Sequence, residues 1–435
     1  MNVPFTKQTL TNGLDVIVHE DHRMPLAAVS VWYHVGSKNE RPERTGLAHL
    51  FEHLMFKGSA HQPRTYFEPL QEAGGSLNGS TSTDRTNYWE LMPAGALRLA
   101  LWMEADRMGW LLPALTDASF ETERDVVLNE RRQNYENRPY GMAPLAIMAA
   151  IFPPDHPYHW PTIGYADDLH AASLDDALAF FTKYYHPGNA SLVMAGDLDT
   201  AEAFQLAEEL FGNIPPGPDV DHVAAPPVRA RRARIVHEDR VELPRLYLAW
   251  PSPPLFGRDD AELDLIADLL ANGRTSRLYR SLIHEQRIAT ELAASQSSRE
   301  LASTFQIVAT AAPGHTLEEL DEAIRDALKG VIAGGVDVDE LERGRAQAEA
   351  AFVYRLQSLG GFGGRSDQLN AYNVYRGEPD YFDRDLQRYL RATQDGLQRA
   401  AARWLDPDMA VALSVVPRGA AGQALADSVP AGGVR

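Results

Sequence analysis

The sequence predicts an α+β protein built as two homologous α/β halves joined by a linker, and three observations carry that expectation. Ile17-Val-His-Glu-Asp21 is restated as Ile235-Val-His-Glu-Asp239, and each copy leads into an apolar strand, Val29–Tyr33 and Leu246–Trp250. Between the copies, Pro215–Arg234 is dense in proline, loses hydrophobic periodicity and ends in a basic cluster at Arg229, Arg231, Arg232 and Arg234, as an interdomain linker does. At 435 residues the chain also exceeds one ordinary hydrophobic core. The expected division is 1–216, a linker at 217–234, and 235–435.

Composition narrows the class. Hydrophobic residues make up 44% of the chain and charged residues 23%, which is globular. A formal charge of −19 argues against a nucleic-acid partner, because phosphate binding needs a basic face. The absence of cysteine removes disulfides, thiol catalysis and thiolate ligands, and leaves His and carboxylate as the strong metal ligands. Neither a secretory leader nor a bilayer-spanning run stands out; the longest apolar candidate, around Ala143–Phe152, is too short. The expectation is a cytoplasmic protein without a membrane partner, periplasmic if a leader has been removed.

In the first half, Thr11-Asn12-Gly13 marks a turn into the strand Leu14–Val18, and Leu26–Val35 is a second strand. A charged loop, Ser37–Arg44, leads to Thr45 as an N-cap. In the helix that follows, Leu47, Leu50, Phe51 and Leu54 recur at helical spacing. Tyr66–Ala73 reads as helical. Gly74–Thr83, polar, glycine-bearing and β-branched, reads as a strand at a sheet edge, with a surface loop as the rival reading. Leu97–Met108 and Ser119–Glu136 are expected helices, followed by a proline-rich loop holding His156 and His159, the helix Leu174–Tyr185 and the strand Ala190–Ala195. In the second half, the helix Asp259–Ala271 contains no histidine. Ser276–Gln286, Leu317–Ala333, Val338–Leu359 and Ser366–Asn373 read as helices and Thr304–Ala311 as a strand; Gly360–Gly364 acts as a helix terminator and Gly419–Arg435 as a disordered tail.

The chemistry concentrates in His49-Leu-Phe-Glu52-His53. On a helix, His49 and His53 stand one above the other with Glu52 beside them. Two imidazoles and a carboxylate on one face suit a zinc ion that keeps a coordination position for water, and H-x-x-E-H is the inverted zincin order. The rival reading is a core helix with two satisfied histidines. Downstream, Glu123 and Glu130 lie two turns apart on one helical face. Such an acidic run is ordinarily a solvated face. A site with two histidines and no third ligand gives it a second meaning.

These features together resemble the pitrilysin/insulinase family of zinc peptidases, in particular short bacterial members related to the mitochondrial processing peptidase. The resemblance rests on Gly46–Gly58, Gly74-Gly-Ser-Leu-Asn78, Glu123–Glu130, Tyr185-His-Pro-Gly-Asn189 and Gly196-Asp197. It implies two halves, each a mostly antiparallel sheet flanked by helices. It also implies one zinc per chain, held by His49, His53 and Glu130, with Glu52 as general base and Glu123 supporting a ligand. The strand at Leu77-Asn78-Gly79 would bind an extended peptide by main-chain pairing. Members that act alone carry an Arg and a Tyr seven residues apart after a Ser-Arg-Leu segment, to stabilise the oxyanion. Here Ser276-Arg277-Leu278 is followed at those positions by Ile283 and Thr290, and a shifted alignment onto Arg280 or Arg287 needs an insertion or deletion. The expectation is therefore a zinc-bearing subunit completed by a homologous partner, a heterodimer in preference to a homodimer. The alternative is a non-catalytic scaffold subunit.

Overall fold

The computed structural model describes residues 3–432. The first sheet contains β1 (Thr6–Thr9), β2 (Asp15–Glu20), β3 (Leu26–Tyr33), β4 (Ser76–Thr81), β5 (Thr86–Pro93) and β6 (Ala190–Gly196), in the order β1-β2-β6-β3-β5-β4. The second contains β7 (Ala233–Asp239), β8 (Arg245–Ser252), β9 (Ala289–Ser297), β10 (Ser303–Ala311), β11 (Val411–Pro417) and β12 (Val429–Pro430), in the order β12-β7-β11-β8-β10-β9. From β2 onward the first order maps onto β7-β11-β8-β10-β9, with β2–β6 and β7–β11 as the matching parallel pairs and the remaining pairs of that stretch antiparallel; the short β12 adds a second parallel pairing on β7. The chain is a duplication of one mixed α/β layer.

By contacts the chain forms two compact units: residues 1–129, 160–223 and 351–384, and residues 130–159, 224–350 and 385–435. Each unit thus takes in a segment from the other half of the sequence. In the first unit, alternation along β3 explains why both sheet faces are covered. Ser30 and Trp32 face the helix Arg365–Arg376, where Trp32 Nε1 donates to Asp367 (2.8 Å) and Asn370 donates to the Ser30 carbonyl (2.9 Å). Tyr33 faces the other way, onto Tyr185 (ring centroids 5.0 Å apart), which in turn packs on Phe51 (5.4 Å) of the helix Leu47–Leu54. In the second unit, Leu246, Leu248 and Trp250 of β8 join a core with the helices Asp260–Ala271, Leu317–Gly334 and Gln394–Trp404. Tyr247 and Ala249 join another, with the helix Ala143–Ile151.

Several local expectations change. Thr45 is not the N-cap; that position is Gly46, and the buried Thr45 hydroxyl instead donates to Asp168 (2.6 Å). The tail is ordered through residue 432: Leu425 is buried in the second core and Val429–Pro430 pairs with β7. One apolar anchor and one free strand edge were enough to fix a segment of low hydrophobicity. Residues 433–435 of that tail lie outside the described residues. The acidic helix spans Asp117–Arg131 and continues as a wider π-type turn, Arg132–Glu136. The expected helix Ser276–Gln286 also takes π geometry, over Tyr279–Glu285.

Candidate metal centre

The helix Leu47–Leu54 buries Leu47, Ala48, Leu50, Phe51 and Leu54, and this apolar face leaves His49, Glu52 and His53 on the half-buried side. The two imidazole rings lie 4.9 Å apart at 65°. The acidic helix, all but its last two residues in the first unit, brings Glu130 beside them. Donor atoms of His49, His53 and Glu130 all lie within 4.8 Å of one another, and among the described residues this is the one His/Cys/Asp/Glu group so arranged. Zinc–nitrogen and zinc–oxygen bonds of about 2.0–2.2 Å put tetrahedral ligands roughly 3.4 Å apart, so small side-chain rotations close this set around one ion. The donor chemistry, two imidazoles and one carboxylate, fits zinc.

The surroundings orient these groups. The buried Glu123 carboxylate lies 3.8 Å from His53 Nδ1 and accepts an ion pair from Lys57 at 2.7 Å. Burial opposes the charge on Glu123, yet His53 and Lys57 outweigh it and hold the carboxyl below its ordinary range. Asn134, one turn beyond Glu130, donates to its Oε1 at 3.2 Å. The acidic face is therefore divided: Glu121 and Asp125 are solvated, whereas Glu123 and Glu130 turn inward. Glu52 lies within electrostatic reach of two buried phenols, Tyr88 and Tyr185; burial, and to a lesser degree that carboxylate, raise both.

Strand β4 is the edge of its sheet, as its composition predicts, and among the described residues pairs only with β5. Leu77 is half-buried, Asn78 exposed and Gly79 buried opposite Tyr88. A Cβ at Gly79 would lie 2.9 Å from the Tyr88 ring and 3.0 Å from Phe56, so only glycine lets the strand lie this close to the end of the histidine helix. The loop histidines serve their own segment: His156 Nδ1 accepts from Tyr158 N–H (3.0 Å), and His159 Nδ1 meets the Phe152 carbonyl (2.7 Å). In the second unit, Ile283 packs against the core and the Thr290 hydroxyl reaches the Thr310 carbonyl at 3.5 Å. Sequence reasoning did not single out β5 or Glu40, a buried carboxyl at the start of the histidine helix. Its position six residues before Gly46, in a charged loop, gave no periodic signal.

A helix with two histidines that could join Glu130 around a metal ion, beside an edge strand and within a duplicated α/β layer, is an arrangement that fits a zinc-peptidase family. The chain belongs to peptidase family M16, the insulinase family. The insulinase profile matches residues 15–155, and the profile described as the M16 inactive domain matches residues 171–348. Zinc protease PqqE of Helicobacter pylori is 30% identical over 382 residues, covering 86% of this chain and 85% of that protein. Mitochondrial-processing peptidase subunit beta of Blastocladiella emersonii is 29% identical over 219 residues, 50% of this chain and 46% of that one. Among solved structures, a Helicobacter pylori protease superposes with a TM-score of 0.86 at 27% identity, covering 96% of this chain and all of that one. Among the described residues no helix is long and apolar enough to cross a membrane.

Proposed function

We propose that this chain is the zinc-bearing subunit of a metalloendopeptidase that cuts extended or unfolded peptides inside a chamber shared with a homologous partner. The observation that most supports this reading is the convergence of Glu130, from the acidic helix, with His49 and His53 within 4.8 Å, the two histidines standing on a helix that also carries Glu52. His49, His53 and Glu130 would hold the ion. Zinc bound there supplies the Lewis acidity that polarises a scissile carbonyl and brings the pKa of water toward neutrality. Glu52 takes the proton from the attacking water and passes it to the leaving amine. Glu123, paired with Lys57, steadies the His53 ring from its Nδ1 side. Leu77-Asn78-Gly79 align the peptide through the open edge of β4, which selects chains able to lie extended.

The partner supplies the Arg and Tyr that Ile283 and Thr290 do not. Residues 1–216 serve as the catalytic domain, and 235–435 as its homologous counterpart without metal ligands, in a cytoplasmic enzyme. A non-catalytic scaffold role is the alternative, and one experiment separates the two. Zinc content and hydrolysis of a long unstructured peptide are measured for the parental chain and for Glu52→Gln, each with and without a homologous subunit. Retained zinc with hydrolysis lowered at least about a hundredfold in the variant supports the assignment of the base. Equal hydrolysis by both chains overturns it, and no hydrolysis with any partner favours the scaffold. Full activity of the parental chain alone, unchanged by a partner, removes the heterodimer.

A further inference from the structure

The helix Leu47–Leu54 has a structural problem that its own sequence does not solve. It is eight residues long, and its N-cap, Gly46, has no side chain to accept from the first turn. Glycine is required there on two counts. Its φ is +91°, and a Cβ would lie 2.8 Å from Leu169 and 3.1 Å from the Cα of Gly164. A serine or aspartate cap is therefore sterically excluded, although a turn that carries His49 as its third residue needs a firm N-terminus.

The missing cap comes from six residues upstream. Glu40, buried at 8% exposure, accepts from Gly46 N–H at 2.9 Å through one carboxyl oxygen and from Ala48 N–H at 2.8 Å through the other. Asp168 performs the same service one residue earlier, accepting from the N–H and hydroxyl of Thr45 at 3.2 and 2.6 Å. Of the two, only Glu40 reaches into the helix itself.

We propose that Glu40 is a positioning residue for the metal centre: its carboxyl is the N-cap that Gly46 cannot supply, and it holds the turn bearing His49 in the geometry that ligation requires. This rests on reading His49, His53 and Glu130 as the zinc site. Exchanging one of the two carboxyl oxygens for an NH2 group leaves one of the buried amides of Gly46 and Ala48 without an acceptor, a loss that is felt first at the neighbouring His49. The apolar face, held by Phe51 on Tyr185, keeps the helix docked, so the defect is one of alignment and not of folding.

The test uses Glu40→Gln and Glu40→Asp in the full chain, with three readouts. In metal-free protein at a pH above 8, where the Glu40 carboxyl is ionised, hydrogen exchange at Leu47–His49 should rise about tenfold in Glu40→Gln, with β3 and β6 unchanged, and by less in Glu40→Asp. Zinc affinity, measured by competition with a chromophoric chelator, should fall about tenfold. In the active assembly kcat should fall while KM holds. Exchange equal to the parent at Leu47–His49, or rising equally across β3 and β6, overturns the proposal, the second outcome because Glu40 would then be only a general stability residue. If the parental chain binds no zinc, the functional reading of the site fails, while the exchange measurement still decides whether Glu40 caps the helix.

Discussion

The helix Leu47–Leu54 and its counterpart in the second half, Asp260–Ala271, start alike and diverge at once. Each opens at a left-handed residue, Gly46 at φ +91° and Asp259 at φ +73°. With these caps set level, His49 corresponds to Glu262, Glu52 to Leu265 and His53 to Ile266. Leu265 and Ile266 are 2% and 0% exposed, whereas His49, Glu52 and His53 are half-buried. One copy of the helix is packed in a core on the side where the other copy is open. Duplicating the layer reproduced the scaffold, while the chemistry depends on the few positions where a helix face is left uncovered.

That contrast predicts opposite responses at matched positions. His53→Ala should reduce bound zinc from one per chain to background and abolish hydrolysis, with a small change in unfolding free energy. Ile266→Ala should leave zinc stoichiometry intact and cost about 2–5 kcal/mol of stability, because a fully buried methyl-rich side chain leaves a cavity. Metal analysis and urea unfolding of both variants decide between these outcomes. A stability loss at His53 as large as that at Ile266 would mean that the histidine helix is held mainly by its own core.

A smaller effect is expected one contact away from the ligands. Glu123→Gln keeps size and removes the charge that meets His53 and Lys57. Zinc affinity should drop by about 10–100-fold with stoichiometry preserved, as is usual when a group orienting a ligand is lost. Glu121→Gln, on the solvated side of the same helix, should do nothing measurable; chelator competition compares the two.

The duplication, the edge strand and the histidine helix were legible in the sequence because each rests on local pattern: a repeated pentapeptide, small polar β-formers, and apolar residues at helical spacing. Glu130 as a candidate third ligand was legible only through family spacing. Nothing local in Ser119–Glu136 tells Glu123 and Glu130 apart from the exposed Glu121 and Asp125, since what turns them inward is the position of a helix some 80 residues earlier in the chain. The exchange of residues 130–159 and 351–384 between the two units had no signal for the same reason. Glu40 went unremarked because its role depends on a steric fact about Gly46 that appears only once Leu169 and Gly164 are in place.

The finest comparison concerns protons. Each half buries a carboxyl at or within its corresponding helix. Burial pushes Glu40 up to about 8 against the pull of the amides of Gly46, Ala48 and Leu47, with Asp168 adding repulsion. Burial pushes Asp264 up to about 7 against the Tyr389 hydroxyl and Arg388, with Asp260 and Asp268 adding repulsion. For both groups the folded pKa exceeds the unfolded one, so between the two values the folded chain keeps a proton that the unfolded chain has lost. Stability therefore declines as pH rises, from about 4.5 to 8 for Glu40 and from about 3.8 to 7 for Asp264, and levels off above each window. Glu40→Gln should flatten the decline up to pH 8 and Asp264→Asn the decline up to pH 7, as read from metal-free urea unfolding at pH 5, 6.5 and 8. Should the Glu40→Gln curve instead run parallel to the parental one, Glu40 is ionised throughout. The helix N-terminus would then hold an anion more strongly than burial expels it, and the two halves would differ in electrostatics as well as in packing.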